Sequence, residues 1–191
     1  MNRASILSLL TDHRPFDGVE DGYLAQTLEF VRSTEDFASR HNKAGHLTGS
    51  AWVVNPAGNA VLLIHHVNLD RWLQPGGHVE DGDASIQSTA MREACEECGI
   101  PAAGMEDDRL YDIDVHPIPE RKGFPAHLHY DFRFLVRVED TGLLSAQLGE
   151  VQEVKWFSPL EIEKMGLGPS VMRMMMKLPA WKKTKLCPAA S

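Results

Sequence analysis

The chain lacks a long apolar run and has few cysteines. The chain has 191 residues, and none of its apolar runs approaches the length of ~18 residues that a helix needs to cross a bilayer. The apolar patch from Ile6 to Leu10 is shorter than the core of a signal peptide. Three cysteines without an export signal favour reduced thiols over a disulfide framework. We therefore expect a cytoplasmic protein without a membrane partner.

Basic residues are also scarce. The chain has 19 Lys and Arg against 27 acids, which gives a formal net charge of -8. Such a chain repels an extended polyanion unless its bases are clustered, and here they are not. We expect no duplex nucleic acid as a partner. The hydrophobic content of 43% is enough for the core of one domain.

The first 45 residues are predicted to be helical, since Leu24 and Leu28 recur at helical spacing. We interpret residues 1–45 as a helical cap on the domain that residues 46–185 form. Residues 186–191 carry no structural signal and are predicted to be a loose tail.

The middle of the chain alternates between strand and helix patterns. The runs 'LTGSAWVV' and 'AVLLIHH' around the turn 'NPAGN' predict a β-hairpin. The segment 'PGGHVEDGD' is too rich in glycine and charge for a strand and predicts a loop, after which residues 85–98 return to helical spacing. Further strands are predicted at Leu110 to Val115, at His127 to Val138 and at 'EVKWF', followed by a helix that Ser158 caps and a last helix near Pro169 or Ser170. This order predicts an α/β/α sandwich around a mixed β-sheet.

The strand from His127 alternates apolar and polar residues, which predicts one face in the core and one polar face available for binding. The polar face carries His127, His129, Asp131 and Arg133. Arg133 is a candidate for a bidentate phosphate contact. An ordinary exposed sheet face is the alternative.

Residues 92–99, 'REACEECG', place three carboxylates together. With about 100° per residue, Glu97 lies about 40° from Glu93 on one side and Glu96 about 60° on the other. Three like charges this close call for a cation, and Mg²⁺ fits because it prefers oxygen ligands and bridges carboxylates to substrate phosphates. Mn²⁺ is a possible substitute. A solvated acidic face is the alternative for this pattern taken alone.

The segment from Gly76 to Ile100, 'GGHVEDGDASIQSTAMREACEECGI', resembles the Nudix box. That pattern is Gly, five residues, Glu, seven residues, Arg-Glu, an apolar residue, any residue, Glu-Glu, any residue, Gly and an apolar residue. Here Asp83 stands at the first Glu position, and one extra residue precedes Arg92. These departures leave metal binding intact but affect the geometry of the loop.

The resemblance implies a Nudix fold and a hydrolase in which water attacks a phosphoanhydride with help from the metal. It further implies that Glu96 and Glu97 are principal metal ligands, Glu93 a ligand or base, and the Gly76 carbonyl a further ligand. Arg92 would hold the loop through ion pairs.

Five residues outside these ligands are candidates for substrate contact, and an ordinary polar side chain in contact with solvent is the alternative for each. They are His78, His127, His129, Arg133 and Glu150. Glu150 is also a candidate general base. The expected substrate is a small-molecule phosphoanhydride, a nucleoside diphosphate linked to another moiety.

Two other patterns have structural interpretations. Cys95 and Cys98 spell C-x-x-C without a second Cys or His pair, so they are expected to fill the core rather than bind zinc. The run 'VMRMMMK' is expected to pack in the core or between two copies, which leaves a homodimer open.

Two alternative functions remain. One is a sensor that binds a nucleotide without cleaving it, although such modules tend to lose acids from the box. The other is an isoprenoid diphosphate isomerase. Its chemistry involves a Cys and a Glu that face each other across a pocket, beside a His-rich metal site. The segment 'WLQPGGH' offers no cysteine for that chemistry.

Overall fold

A seven-stranded mixed sheet lies between two layers of helices. The computed structural model describes residues 1–100, 105, 108–121, 123–139, 144–146 and 149–186, with side chains described as far as residue 178. The helices are α1 (Arg3–Asp12), α2 (Gly18–Ser33), α3 (Ile86–Cys98), α4 (Pro159–Met165) and α5 (Pro169–Leu186). The strands are β1 (Gly45–Val54), β2 (Val61–His66), β3 (Arg71–Leu73), β4 (Gly76–His78), β5 (Asp112–Ile118), β6 (His127–Arg137) and β7 (Val151–Phe157).

The strand order is β3-β2-β1-β6-β5, with β4 paired to β1 and β7 paired to β2. β1 and β6 run parallel, and the other pairs are antiparallel. The predicted hairpin of β1 and β2 is confirmed, as is the predicted α/β sandwich. Among the described residues, no helix combines the length and apolar character that a bilayer crossing requires.

The two faces of β1 serve different layers. A Cβ at Gly49 would lie 2.8 Å from the carbonyl oxygen of Ile86, so this face of the sheet meets α3. Apolar residues of α1 and α2, such as Leu10 and Phe30, join the same core cluster. Trp52 points to the opposite face, where α4 and α5 supply Ile162 and Met174.

Helix boundaries follow the capping signals of the sequence. Ser85 caps α3 and Ser158 caps α4, each within a capping box, and Gly99 and Gly166 end these helices in the left-handed region. The predicted helix over residues 85–98 and the predicted starts of the last two helices are confirmed.

Three predictions about the elements are wrong. The helical cap ends at Ser33, because the residues that follow lose the apolar period and turn toward β1. Part of 'PGGHVEDGD' is strand β4, since its glycines allow a close approach: a Cβ at Gly76 would lie 2.1 Å from Ser50 Oγ. β5 runs on through Pro117, which is tolerated because β5 is an edge strand of the sheet.

The polar face of β6 is covered at Asp131 and Arg133 and half-buried at His127 and His129, which corrects the prediction of a face free for binding. Asp131 is 2% exposed and Arg133 is 3% exposed. α5 packs over them and brings Arg173 and Lys177, whose charges pair with Asp112 of β5. A buried network of charges replaces the expected open surface.

Candidate active site and histidine cluster

The carboxylates of α3 meet β4 at its two glycines. The Gly76 N–H donates to Glu97 Oε2 at 2.8 Å. A Cβ at Gly77 would lie 2.3 Å from Glu93 Oε1, so glycine is required for Glu93 to lie against the strand. The helical geometry inferred from the sequence therefore brings Glu93 and Glu97 to one backbone segment.

Burial differs among the three glutamates. Glu97 is 3% exposed, whereas the Glu93 side chain is 13% exposed and the Glu96 side chain 46% exposed. The site therefore has a deep end at Glu97 and a solvent end at Glu96.

Burial and mutual repulsion raise the pKa of two of the three carboxyl groups. Burial raises the pKa of Glu97 to about 8; the hydrogen bond from Gly76 opposes this rise, and the charges of Glu93, Glu150 and Glu96 add to it. Burial also raises the pKa of Glu93. A cation placed among these oxygens would favour their ionised forms. The charge of the predicted residue Glu150 contributes to the raised pKa of both Glu93 and Glu97.

Arg92 joins the helix to the loop, as the resemblance implies. Its Nε and Nη2 donate to the two oxygens of Asp83, both at 3.1 Å, and Nη2 also donates to the His78 carbonyl at 2.8 Å. Its Nη1 donates to Glu93 and Glu96, each at 3.0 Å. Asp83 therefore reaches Arg92 despite its shorter side chain and the extra residue in the loop.

Five of the nine histidines form a second group, the histidine cluster. The sequence pattern points to three of its members and misses the other two, because the pairing of β6 with β1 and with β5 is not visible in the sequence. His46 lies opposite His129 on β6, which lies opposite His116 on β5. The cluster consists of His46, His78, His116, His127 and His129.

The cluster is unfavourable for charged rings. The pKa of His46 and of His78 is lowered to about 4 and that of His129 to about 2. Burial is the largest cause, and the charges of neighbouring histidines contribute to each decrease. These three rings are therefore neutral at neutral pH.

Arg133 lies outside both groups. Its Nε donates to Asp131 at 2.7 Å, its Nη1 donates to Asp112 at 3.1 Å, and its Nη2 lies 3.2 Å from Asp114. The guanidinium is thus committed to three buried carboxylates. This geometry gives the predicted phosphate contact no support.

The cysteines and methionines fit core packing. Cys98 is fully buried, and burial raises its pKa, while Cys95 is partly buried. Met174 is fully buried, whereas Met176 is 48% exposed. The burial of Cys98, Cys95 and Met174 agrees with the core packing that the sequence predicts, whereas Met176 departs from it.

Comparisons with known proteins agree with this architecture. The chain matches the NUDIX domain family over residues 46–177. It is 32% identical over 144 residues to a probable DHNTP pyrophosphohydrolase of Lactococcus lactis subsp. cremoris, covering 74% of this chain and 80% of that protein.

Two solved structures show the same fold. One is a binary complex of a C. elegans Ap4A hydrolase, with a TM-score of 0.56 and 20% identity over 72% of this chain and 97% of that one. The other is the E. coli dihydroneopterin triphosphate pyrophosphohydrolase, with a TM-score of 0.54 and 16% identity over 69% of this chain and 92% of that one.

Proposed function

This chain belongs to the NUDIX domain family, and from that membership we propose a Mg²⁺-dependent hydrolase that cleaves a phosphoanhydride in a nucleoside diphosphate linked to another moiety. The diphosphohydrolase class follows from the family and from the L. lactis relative. The observation that supports the metal is the convergence of Glu93 and Glu97 on β4, with Glu96 joined to Glu93 through Arg92 and Glu97 buried among like charges.

The residues present fit a hard divalent ion. Glu93, Glu96 and Glu97 would hold Mg²⁺ through carboxylate oxygens, with the Gly76 carbonyl as a further ligand and Mn²⁺ as a possible substitute. When bound, such an ion neutralises phosphate oxygens and makes a water more acidic. The absence of a side chain at Gly77 lets the Glu93 carboxylate lie against β4.

The protein's own residues position the reacting groups. Arg92 fixes Glu93 and Glu96 relative to the loop through its bonds to Asp83 and His78. Hydrolysis forms one P–O bond from water and breaks the bridging P–O bond, so that two phosphate products leave. Glu93 and Glu150 are the candidates to accept the water proton.

A substrate panel tests this proposal. The purified chain is incubated with Mg²⁺ or with EDTA, and products are separated by anion-exchange chromatography. The panel contains nucleoside triphosphates, dinucleoside polyphosphates, nucleotide sugars, ADP-ribose and dihydroneopterin triphosphate. Release of phosphate, pyrophosphate or a nucleoside monophosphate in the presence of Mg²⁺ but not of EDTA supports the proposal. If none of the compounds yields a product, the proposal is contradicted.

Glu97→Gln tests the assigned metal site. The amide keeps the size of the side chain but removes a charge, so turnover should fall at least about 100-fold while the circular dichroism spectrum is unchanged. Glu163→Gln, at an exposed position of α4, is the matched control. An unchanged rate in Glu97→Gln would refute the role.

Two other functions are separated by the same measurements. Tight nucleotide binding without product over a long incubation would indicate a sensor. The histidine cluster is one feature of isoprenoid diphosphate isomerases, but Cys95 and Cys98, the two cysteines in the described part of the chain, both lie on α3. Conversion of isopentenyl diphosphate to its isomer would nevertheless favour that function.

A further inference from the structure

The histidine cluster lies on the face of the sheet opposite the carboxylates. Gly77 faces Glu93, and its neighbour His78 points to the other face, since successive strand residues alternate. Ring centroids are 4.7 Å apart for His46 and His129, and 4.9 Å apart for His46 and His127. The His78 ring lies 5.0 Å from both His46 and His129.

Backbone carbonyls fix the tautomers of two rings. His127 Nδ1 lies 2.9 Å from the Pro125 carbonyl and His46 Nδ1 lies 3.5 Å from the Asn42 carbonyl. A carbonyl only accepts, so each Nδ1 carries the proton and each Nε2 carries a lone pair. Metal-binding histidines are held in this way, with one ring nitrogen donating to the protein and the other facing the ion.

Two ring nitrogens in the cluster have no partner. His46 is 1% exposed, and neither His46 Nε2 nor His129 Nε2 makes a hydrogen bond to any described residue. A buried polar atom without a partner is costly, and native proteins rarely keep one. Two such atoms on adjacent strands, facing one cluster, indicate that a bound group completes them.

We propose that His46, His127 and His129 form a second metal site that binds a transition metal of the Zn²⁺ class. One ring nitrogen from each residue lies within 4.8 Å of the other two. Zn–N bonds of about 2.0 to 2.1 Å in tetrahedral geometry put nitrogens roughly 3.4 Å apart, so the ring nitrogens must approach one another by up to about 1.4 Å on binding. Imidazole nitrogen selects Zn²⁺, Co²⁺ or Ni²⁺ over Mg²⁺, which separates this site from the carboxylates.

The fourth coordination position has a candidate in His78. Its ring is half-buried and lies near two of the three ligands. The His78 carbonyl accepts from Arg92, which also binds Glu93 and Glu96. β4 would therefore link the two metal sites, because the His78 ring faces the histidine cluster while the His78 carbonyl binds the arginine that holds the carboxylates.

Metal content tests the proposal without reference to catalysis. The full chain is stripped with a strong chelator, and Zn²⁺ is titrated in competition with a chromophoric chelator in the absence of Mg²⁺. Bound metal is then counted by mass spectrometry. We expect one Zn²⁺ per chain, and X-ray absorption spectra with nitrogen neighbours. No bound Zn²⁺, or a metal with oxygen neighbours only, overturns the proposal.

Matched variants locate the ion. His127→Gln changes a half-buried ligand and should lower the affinity for Zn²⁺ at least about tenfold, as should the more buried His46→Gln. His65→Gln is the control, because His65 binds Gln152 and Asp70 away from the cluster. Circular dichroism identifies variants that fail to fold, and His127→Gln decides the question if His46→Gln does.

Glu97→Gln keeps this proposal separate from the proposed function. It should leave Zn²⁺ affinity unchanged even though it is expected to lower turnover. Loss of Zn²⁺ binding in Glu97→Gln, or unchanged binding in His127→Gln, would place the ion at the carboxylates and refute the histidine site. An inactive wild-type chain that still binds Zn²⁺ through His127 refutes the hydrolase proposal alone.

Discussion

Glu20 joins the N-terminal helices to the rest of the domain, and Glu20→Gln should destabilise the fold. The side chain is fully buried. Its Oε1 lies 2.8 Å from His13 Nε2 and accepts from Lys177 Nζ at 2.5 Å and from the Ile113 N–H at 3.2 Å, while Oε2 accepts from the Phe16 N–H at 2.6 Å. The amide of Gln removes the charge and directs a donor at groups that need an acceptor.

The magnitude follows from the pKa of Glu20. Burial would raise this pKa, but the hydrogen bonds from His13 and Lys177 outweigh it and lower the pKa from 4.5 to about 2. Each unit corresponds to about 1.4 kcal/mol, so the ionised form contributes roughly 3 kcal/mol. Breaking a buried ion pair costs about 3 to 5 kcal/mol, which is consistent. We expect a loss of about 3 kcal/mol at pH 7.

The pH dependence has a definite sign. Because the pKa of Glu20 is lower in the folded state, its contribution is fully present above the unfolded value of 4.5. It is lost as pH falls through that value toward about 2. The difference in unfolding free energy between wild type and variant should therefore be constant from pH 7 to about pH 5 and shrink below that.

Urea unfolding followed by tryptophan fluorescence measures this difference, since the chain has four tryptophans. Glu29→Gln, an exposed change on the same helix, is the control and should alter stability by less than about 0.5 kcal/mol. A loss below about 1 kcal/mol in Glu20→Gln, or a difference that does not change with pH, would refute the reasoning.

Two further predictions concern the glycine strand and the buried charges. A Cβ at Gly77 meets the movable carboxylate of Glu93, whereas one at Gly76 meets the backbone of Ser50 at 2.8 Å. Gly77→Ala should therefore lower turnover at least about tenfold with little change in melting temperature, while Gly76→Ala should lower the melting temperature itself; equal effects on both properties would contradict this contrast. Arg133→Gln removes a cation that contacts three buried carboxylates, two of which keep Arg173 or Lys177 as partners, and should cost about 3 to 5 kcal/mol in urea unfolding; a near-neutral effect would show that this cation is not needed for stability.

The sequence by itself determined the local features of this protein. Capping residues such as Ser85 and Ser158 set helix starts, and the turn 'NPAGN' set the hairpin, because these signals act over a few residues. Helical geometry likewise placed Glu93, Glu96 and Glu97 on one side of α3, since their relation needs no information from elsewhere in the chain.

Only the tertiary structure decided which polar residues meet across the sheet. The alternation in β6 predicted a polar face but not its fate, and α5 closes over Arg133 while His127 and His129 join the histidine cluster. His46 enters that cluster through a parallel pairing between strands more than 80 residues apart, a register that local patterns do not specify. The carboxylate site could be inferred from one helix, whereas the histidine cluster depends on four strands coming together.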